Sequence, residues 1–204
     1  MKMKDLDMTS STAIFAKDAM NKLVINSKTT ALVLIDLQKG MLRMPLAPLS
    51  ADQVVTSARA LGDYFRRLGA PVVLVNLGFP GTHDKPQVDF AMSMPQVMPP
   101  GWDELGDGLG HAEDMRITKR GWSAFLSTDL DQRLKARGID TIVIGGIATN
   151  FGVEATARDA VGLNYNVIFA KDAMTTLSPQ HQDFALGHIF PLIGRVRSSA
   201  DIIG

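Results

Sequence analysis

Four apolar runs of strand length recur along the chain, and they restrict its fold more than any other feature. They are ALVLID (31–36), PVVLVN (71–76), TIVIGG (141–146) and YNVIFA (165–170). Each is continuous rather than alternating, the pattern of strands buried on both faces of a parallel sheet. RVRS (195–198) and MRITK (115–119) are shorter candidates for a fifth and a sixth strand. Helical patterns lie between them. Residues 50–69 place Val54, Ala58, Leu61 and Phe65 on one face, with Ser50 as N-cap and Gly69 as stop. Residues 123–138 carry Leu130 and Leu134 on one face and end at Gly138. Residues 153–164 hold the small Ala155, Ala157 and Ala160, suited to close packing on a sheet, and 179–191 form a further helix closed by Pro191. Strands alternating with helices predict a three-layer α/β/α domain, doubly wound on a mainly parallel, Rossmann-like sheet of about six strands.

In such sheets, ligands bind outside the carboxyl ends of the strands. That rule selects Asp36, Asn76, Lys119 and the turn IATNFG (147–152). A carboxylate at the end of a buried strand has no packing role, because an unpaired buried charge is costly. Burial would raise the pKa of Asp36 and suit it to proton transfer, although Asp is also a favoured helix N-cap. Lys119 is either a solvated lysine at a strand end or the cation that tunes Asp36. The IATNFG turn leads into a helix whose first N–H groups, backed by the helix dipole, can bind an anion or oxyanion. Thr149 and Asn150 could instead cap that helix.

The 204 residues suit one domain, and none is cysteine. Disulfides, thiolate metal sites and cysteine nucleophiles are thereby excluded. Lys plus Arg and Asp plus Glu are balanced at 21 each, which leaves no footprint for nucleic acid. No run reaches the roughly 18 apolar residues of a membrane span, and the N-terminus lacks a secretory h-region. The chain is therefore expected in the cytoplasm. His83, His111, His181 and His188 form no metal-ligand spacing, and there is no GxSxG elbow, P-loop or GxGxxG motif. No metal and no cofactor is expected. Residues 79–110 are rich in Pro, Gly and Met without periodicity, as in a lid, binding loop or oligomer contact. Trp102 and Trp122 are candidates for lining a pocket or for simple packing. IFAKDAM occurs twice, at 14–20 and 168–174. The first copy is a local duplication, an appended sequence or an arm that docks on a neighbouring subunit.

The segments TTALVLIDLQKGM, KRGWSAFLSTDLDQRLKARGIDTIVIGG and GGIATNFGVEATARDA, in that order, resemble the isochorismatase-like hydrolases. The resemblance runs from about residue 28 to residue 204, and residues 1–27 read as an N-terminal extension. In amidase members the resemblance implies a catalytic Asp, Lys and Cys. Asp36 and Lys119 match the first two, and Gly152 stands at the third. It also implies a cis peptide at Ile147–Ala148. Thioester chemistry on amides is then ruled out, and the metal-binding histidines of nicotinamidases have no counterpart after PVVLVN. True isochorismatases do without the cysteine: an aspartate protonates a vinyl-ether carbon and water completes the hydrolysis. By this resemblance Asp36 is the general acid/base, Lys119 organises charge, and the Ala148 and Gly152 N–H groups hold substrate oxygen. Gln38, Asn76, Trp122, Ala148 and Thr149 are the expected contacts of a small acidic or vinyl-ether-type substrate. Isochorismatases typically follow the second strand with Gln-Pro-Gly, where this chain has Asn76-Leu77-Gly78-Phe79-Pro80. Family members form dimers or larger rings, so a homo-oligomer is expected. The competing expectation is a catalytically silent binding module, in which Asp36 and Lys119 would not meet.

Overall fold

A computed structural model describes residues 23–78, 88–90 and 97–204. Six strands, β1 (Thr30–Ile35), β2 (Val72–Leu77), β3 (Met115–Lys119), β4 (Thr141–Ile147), β5 (Asn166–Thr175) and β6 (Arg195–Arg197), form one sheet. Every pairing is parallel, in the order β3-β2-β1-β4-β5-β6. The continuous apolar runs have a direct physical cause. All six residues of β1 are buried, and successive side chains enter two separate cores. Ala31, Val33 and Ile35 join Val73, Val75, Ile142 and Ile144 on one face. Leu32 and Leu34 join Leu74 and Val143 on the other. From Ala31 to Ile35, a strand with a layer on each side is apolar at every position.

The first helix, α1 (Lys39–Leu42), is a single turn, followed by the long α2 (Ala51–Arg67). Helix α2 buries Val54, Ala58, Leu61 and Phe65 against the second core, as its periodicity predicts. Ser50 caps it in a reciprocal box. Its hydroxyl accepts from the Gln53 N–H at 3.3 Å, and the Gln53 side chain accepts from the Ser50 N–H at 2.9 Å. Gly69 follows at φ 67°, the left-handed conformation that ends helices.

The helix expected over 123–138 is much shorter: α3 spans Leu130–Lys135. The preceding residues spend their hydroxyls on local backbone. Ser123 accepts from the Phe125 N–H, and Thr128 donates to the Ala124 carbonyl and accepts from the Leu130 N–H. Ser127 sits at φ 56°. Such bonds compete with the helical ladder. The 153–164 helix instead begins earlier, with a π-helical turn over Thr149–Val153 that runs into α4 (Glu154–Gly162). The C-terminal helix is also divided. Helix α5 (Pro179–Phe184) passes through a π turn (Ala185–Ile189) into α6 (Phe190–Ile193). Pro191 does not close it. It lies in the first turn of α6, where the missing N–H costs nothing. The chain ends with α7 (Ser199–Ile203).

Strand β5 extends five residues beyond the run YNVIFA. Its register against β4 jumps from Ile144↔Phe169 to Gly146↔Met174, so a single residue, Gly145, spans the gap. A β-carbon on Gly145 would lie 2.7 Å from the Ala173 carbonyl oxygen, so glycine is required at this close approach. The second IFAKDAM copy occupies this strand. The first copy, and residues 79–87 and 91–96 of the aperiodic loop, fall outside the described residues.

Candidate active site

Strand order reverses between β1 and β4, which lie side by side with Ile35 opposite Gly146. Asp36 is the first residue past β1. Its N–H donates to the Val75 carbonyl at 2.8 Å, and its backbone adopts φ 52°. A left-handed non-glycine residue costs on the order of 1 kcal/mol or more and persists only where its surroundings enforce it. Asp36 caps no helix: the N-cap of α1 is Gln38. Lys119 ends β3, two strands away, a separation of roughly 10 Å at the usual strand spacing. Its long side chain crosses the end of β2, and Nζ lies 2.8 Å from Asp36 Oδ2. The side chains are 2% and 4% exposed, so this is a buried ion pair. Nζ also donates to the Gly121 carbonyl at 3.1 Å.

The pair is satisfied on one side only. Asp36 Oδ1 is buried with no hydrogen-bond partner among the described residues. Burial pushes the Asp36 carboxyl up to about 6, against the opposing pull of Lys119. A carboxyl of that strength changes protonation near neutrality and can both give and take a proton.

Gly152 completes the arrangement from the turn after β4. The Ile147–Ala148 peptide is cis, and the chain then enters the π turn. A β-carbon on Gly152 would stand 3.4 Å from Asp36 Oδ2 and 3.5 Å from Lys119 Nζ. The bare backbone therefore abuts the ion pair. Asp36, Lys119 and Gly152 all line one cavity of about 210 Å³, whose walls are otherwise mainly apolar and include Met41, Met44, Leu77, Trp122, Ile147, Phe151 and Leu177.

Not every residue chosen from sequence lies there. Ala148 and Trp122 line the cavity; Gln38, Asn76 and Thr149 do not. Gln38 is fully buried and spends its amide on backbone. Nε2 donates to the Leu77 and Trp102 carbonyls, and Oε1 accepts from the Leu77 N–H. Asn76 Oδ1 accepts from the Thr118 hydroxyl at 3.1 Å, a bond between β2 and β3. Thr149 is buried with its hydroxyl unpartnered among the described residues, and Asn150 accepts from the Thr176 hydroxyl. Neither caps the helix, whose N-cap is Ala148. Trp102 packs on Gly40, where any β-carbon would strike its ring. Sequence reasoning missed Arg120, Met41, Met44, Phe151 and Leu177. Arg120 and Phe151 adjoin residues it had selected, whereas Leu177 carries no signal. His111, His181 and His188 lie outside the lining, and His83 falls outside the described residues.

Comparison with known proteins identifies the family. The isochorismatase domain profile matches residues 30–201. The chain belongs to the isochorismatase family. Within that family it is 45% identical over 185 residues to the isochorismatase family protein YecD of Escherichia coli, covering 89% of this chain and 98% of that one. An isochorismatase family protein from Burkholderia thailandensis superposes with a TM-score of 0.82 at 42% identity, over 88% of this chain and 95% of its own. The N-carbamoylsarcosine amidase of Thermoplasma acidophilum gives a TM-score of 0.70 at 32% identity, over 86% and 99%. The six-stranded parallel sheet flanked by helices is the fold of this family. Among the described residues no helix is long and apolar enough to cross a membrane.

Proposed function

We propose that this isochorismatase-family chain is a cysteine-independent hydrolase that uses water to cleave a small acidic or vinyl-ether-type metabolite. Gly152 stands where amidase members carry their cysteine, Asp36 is the general acid/base, and Lys119 is its partner. The observation that carries the reading is the buried Asp36–Lys119 contact beside Gly152 in one cavity. A silent binding module would not require these two groups to meet, so the contact favours catalysis.

For a vinyl ether the chemistry balances without a covalent intermediate. Protonated Asp36 delivers its proton to the terminal carbon of the enol ether, and the adjacent carbon becomes oxocarbenium-like. Water adds to that carbon and returns one proton to Asp36. The resulting hemiketal breaks its bond to the alkoxy oxygen, releasing an alcohol and a ketone. The space in front of Gly152, bounded by Asp36 Oδ2 and Lys119 Nζ, suits the attacking water. The Ala148 and Gly152 N–H groups, at the opening of a helix, suit a substrate oxygen.

The test is a substrate screen that includes isochorismate, followed by Asp36→Asn on any substrate found. General acid–base catalysis of this kind contributes about 10² to 10⁴ in rate. A loss of that size is expected, and unchanged turnover in the variant would sink the mechanism. The reading extends to a cytoplasmic homo-oligomer, a dimer or larger, as the family resemblance implies. Sedimentation at a single monomer mass, 22.1 kDa, would count against that part.

A further inference from the structure

Arg120 follows Lys119 in the chain and lines the same cavity, yet the proposed chemistry gives it no task. It is exposed and takes part in none of the ion pairs among the described residues. The other two charges in the lining, Asp36 and Lys119, face each other at 2.8 Å and compensate. Among the described residues, Arg120 therefore supplies the uncompensated charge of a largely apolar pocket, and that charge is positive. Nearby, the Trp122 indole stacks on Phe151 with centroids 5.0 Å apart and planes inclined by 25°. Both rings line the cavity and remain accessible, Trp122 54% and Phe151 36% exposed. Accessible aromatic faces beside a guanidinium form a surface for a flat body bearing an oxyanion. A guanidinium fork matches the two oxygens of a carboxylate, and it does so bidentately.

We propose that Arg120 is the anion anchor of this site, binding one carboxylate of the substrate while a planar, unsaturated body lies along Trp122 and reaches toward Asp36. The inference rests on the proposed function and narrows its substrate class to carboxylates with a planar, unsaturated part. Arg120 is a positioning residue: it holds the anion and moves no proton.

Benzoate and benzamide test it, because they share a shape and differ in charge. Trp122 fluorescence is the readout, with the buried Trp102 as a steady background. Benzoate is expected to quench saturably and to bind about tenfold more tightly than benzamide, the scale of one charge-assisted contact. The preference is expected to vanish in Arg120→Gln, to survive in part in Arg120→Lys, and to shrink as salt is added. Circular dichroism serves as the control for folding. Equal affinity for the two probes in the native protein overturns the proposal, as does a preference that survives in Arg120→Gln, which would move the anchor to Lys119. Absence of saturable quenching by either probe also overturns it. Asp36→Asn keeps or strengthens the benzoate preference however the turnover test falls, so failure of the chemistry and failure of the anchor are separable. With a turned-over substrate in hand, Arg120→Gln should raise KM about tenfold and leave kcat within about threefold.

Discussion

Among the described residues, two ion pairs hold a buried aspartate, and they are built in opposite ways. Arg66 and Asp114 tie α2 to the segment leading into β3. Arg66 approaches both carboxylate oxygens, at 3.0 and 2.7 Å, and also donates to the Leu109 carbonyl. Asp114 Oδ2 takes a further bond from the His111 N–H. Its carboxylate is saturated, as expected where a charge is buried for structure. Asp36 is held by Lys119 through one oxygen, and its second oxygen is left without a partner among the described residues. Burial then raises its pKa to about 6. The first pair spends all its bonding capacity on the fold, and the second keeps some in reserve beside a cavity. The difference separates a fastener from a group with capacity to spare.

Substitutions at the two aspartates should separate those roles. Asp36→Asn is expected to cost about 10² to 10⁴ in kcat with a small change in Tm, because burial already disfavours the charge it removes and the asparagine oxygen still accepts from Lys119. Asp114→Asn is expected to do the reverse. Arg66 keeps Asp63 as a partner but loses its bonds to a charged acceptor, which is expected to cost about 1.5–3 kcal/mol, or a fall in Tm on the order of 5 °C, with turnover of the folded protein little changed. Thermal melts and kcat on the same two preparations would test the contrast, and equal loss of stability in both would erase it.

pH offers a gentler probe of the same pair. If protonated Asp36 is the acid, kcat/KM should fall about tenfold per unit above about pH 6. The group also affects stability, with the sign set by its raised pKa. From its ordinary 3.8 up to about 6, the folded protein binds this proton and the unfolded chain does not. Its stabilising contribution is thus complete below about pH 4 and is lost as pH rises through about 6. Chemical denaturation across that window should show the decline, and Asp36→Asn should flatten it. Gly152→Ala is the smallest change. Alanine favours a helical position by about 0.5–1 kcal/mol, whereas its methyl would lie 3.3 Å from Ile35 Cγ2, so Tm should move by only a few degrees. Turnover should still fall severalfold, because the methyl occupies the water's approach. Unimpaired kcat would remove Gly152 from the mechanism.

Legibility in the sequence divides along physical lines. The strands were readable because burial on both faces makes β1 apolar from Ala31 to Ile35, and helix α2 because its apolar spacing and Ser50 box are local. Asp36 and Lys119 followed from the rule that active groups gather at strand ends. What escaped depends on contacts across the fold. The hydroxyls of Ser123 and Thr128 withdraw their segment from the helix its pattern suggested. Gln38 and Asn76 stand at the correct end of the sheet, but their amides are claimed by backbone and by Thr118. Leu177 reaches the cavity only because β5 runs past the end of its apolar run, across the gap at Gly145.

The commitments of Gln38 carry a consequence for how such a chain can diversify. The aperiodic stretch departs from the sheet at Leu77 and rejoins the described fold near Trp102, and one buried amide grips backbone at both points. Its two ends are held by a residue just two positions beyond Asp36. Sequence and length between them can therefore drift while Asp36 keeps its position, because loop closure costs little for added length once both ends are anchored.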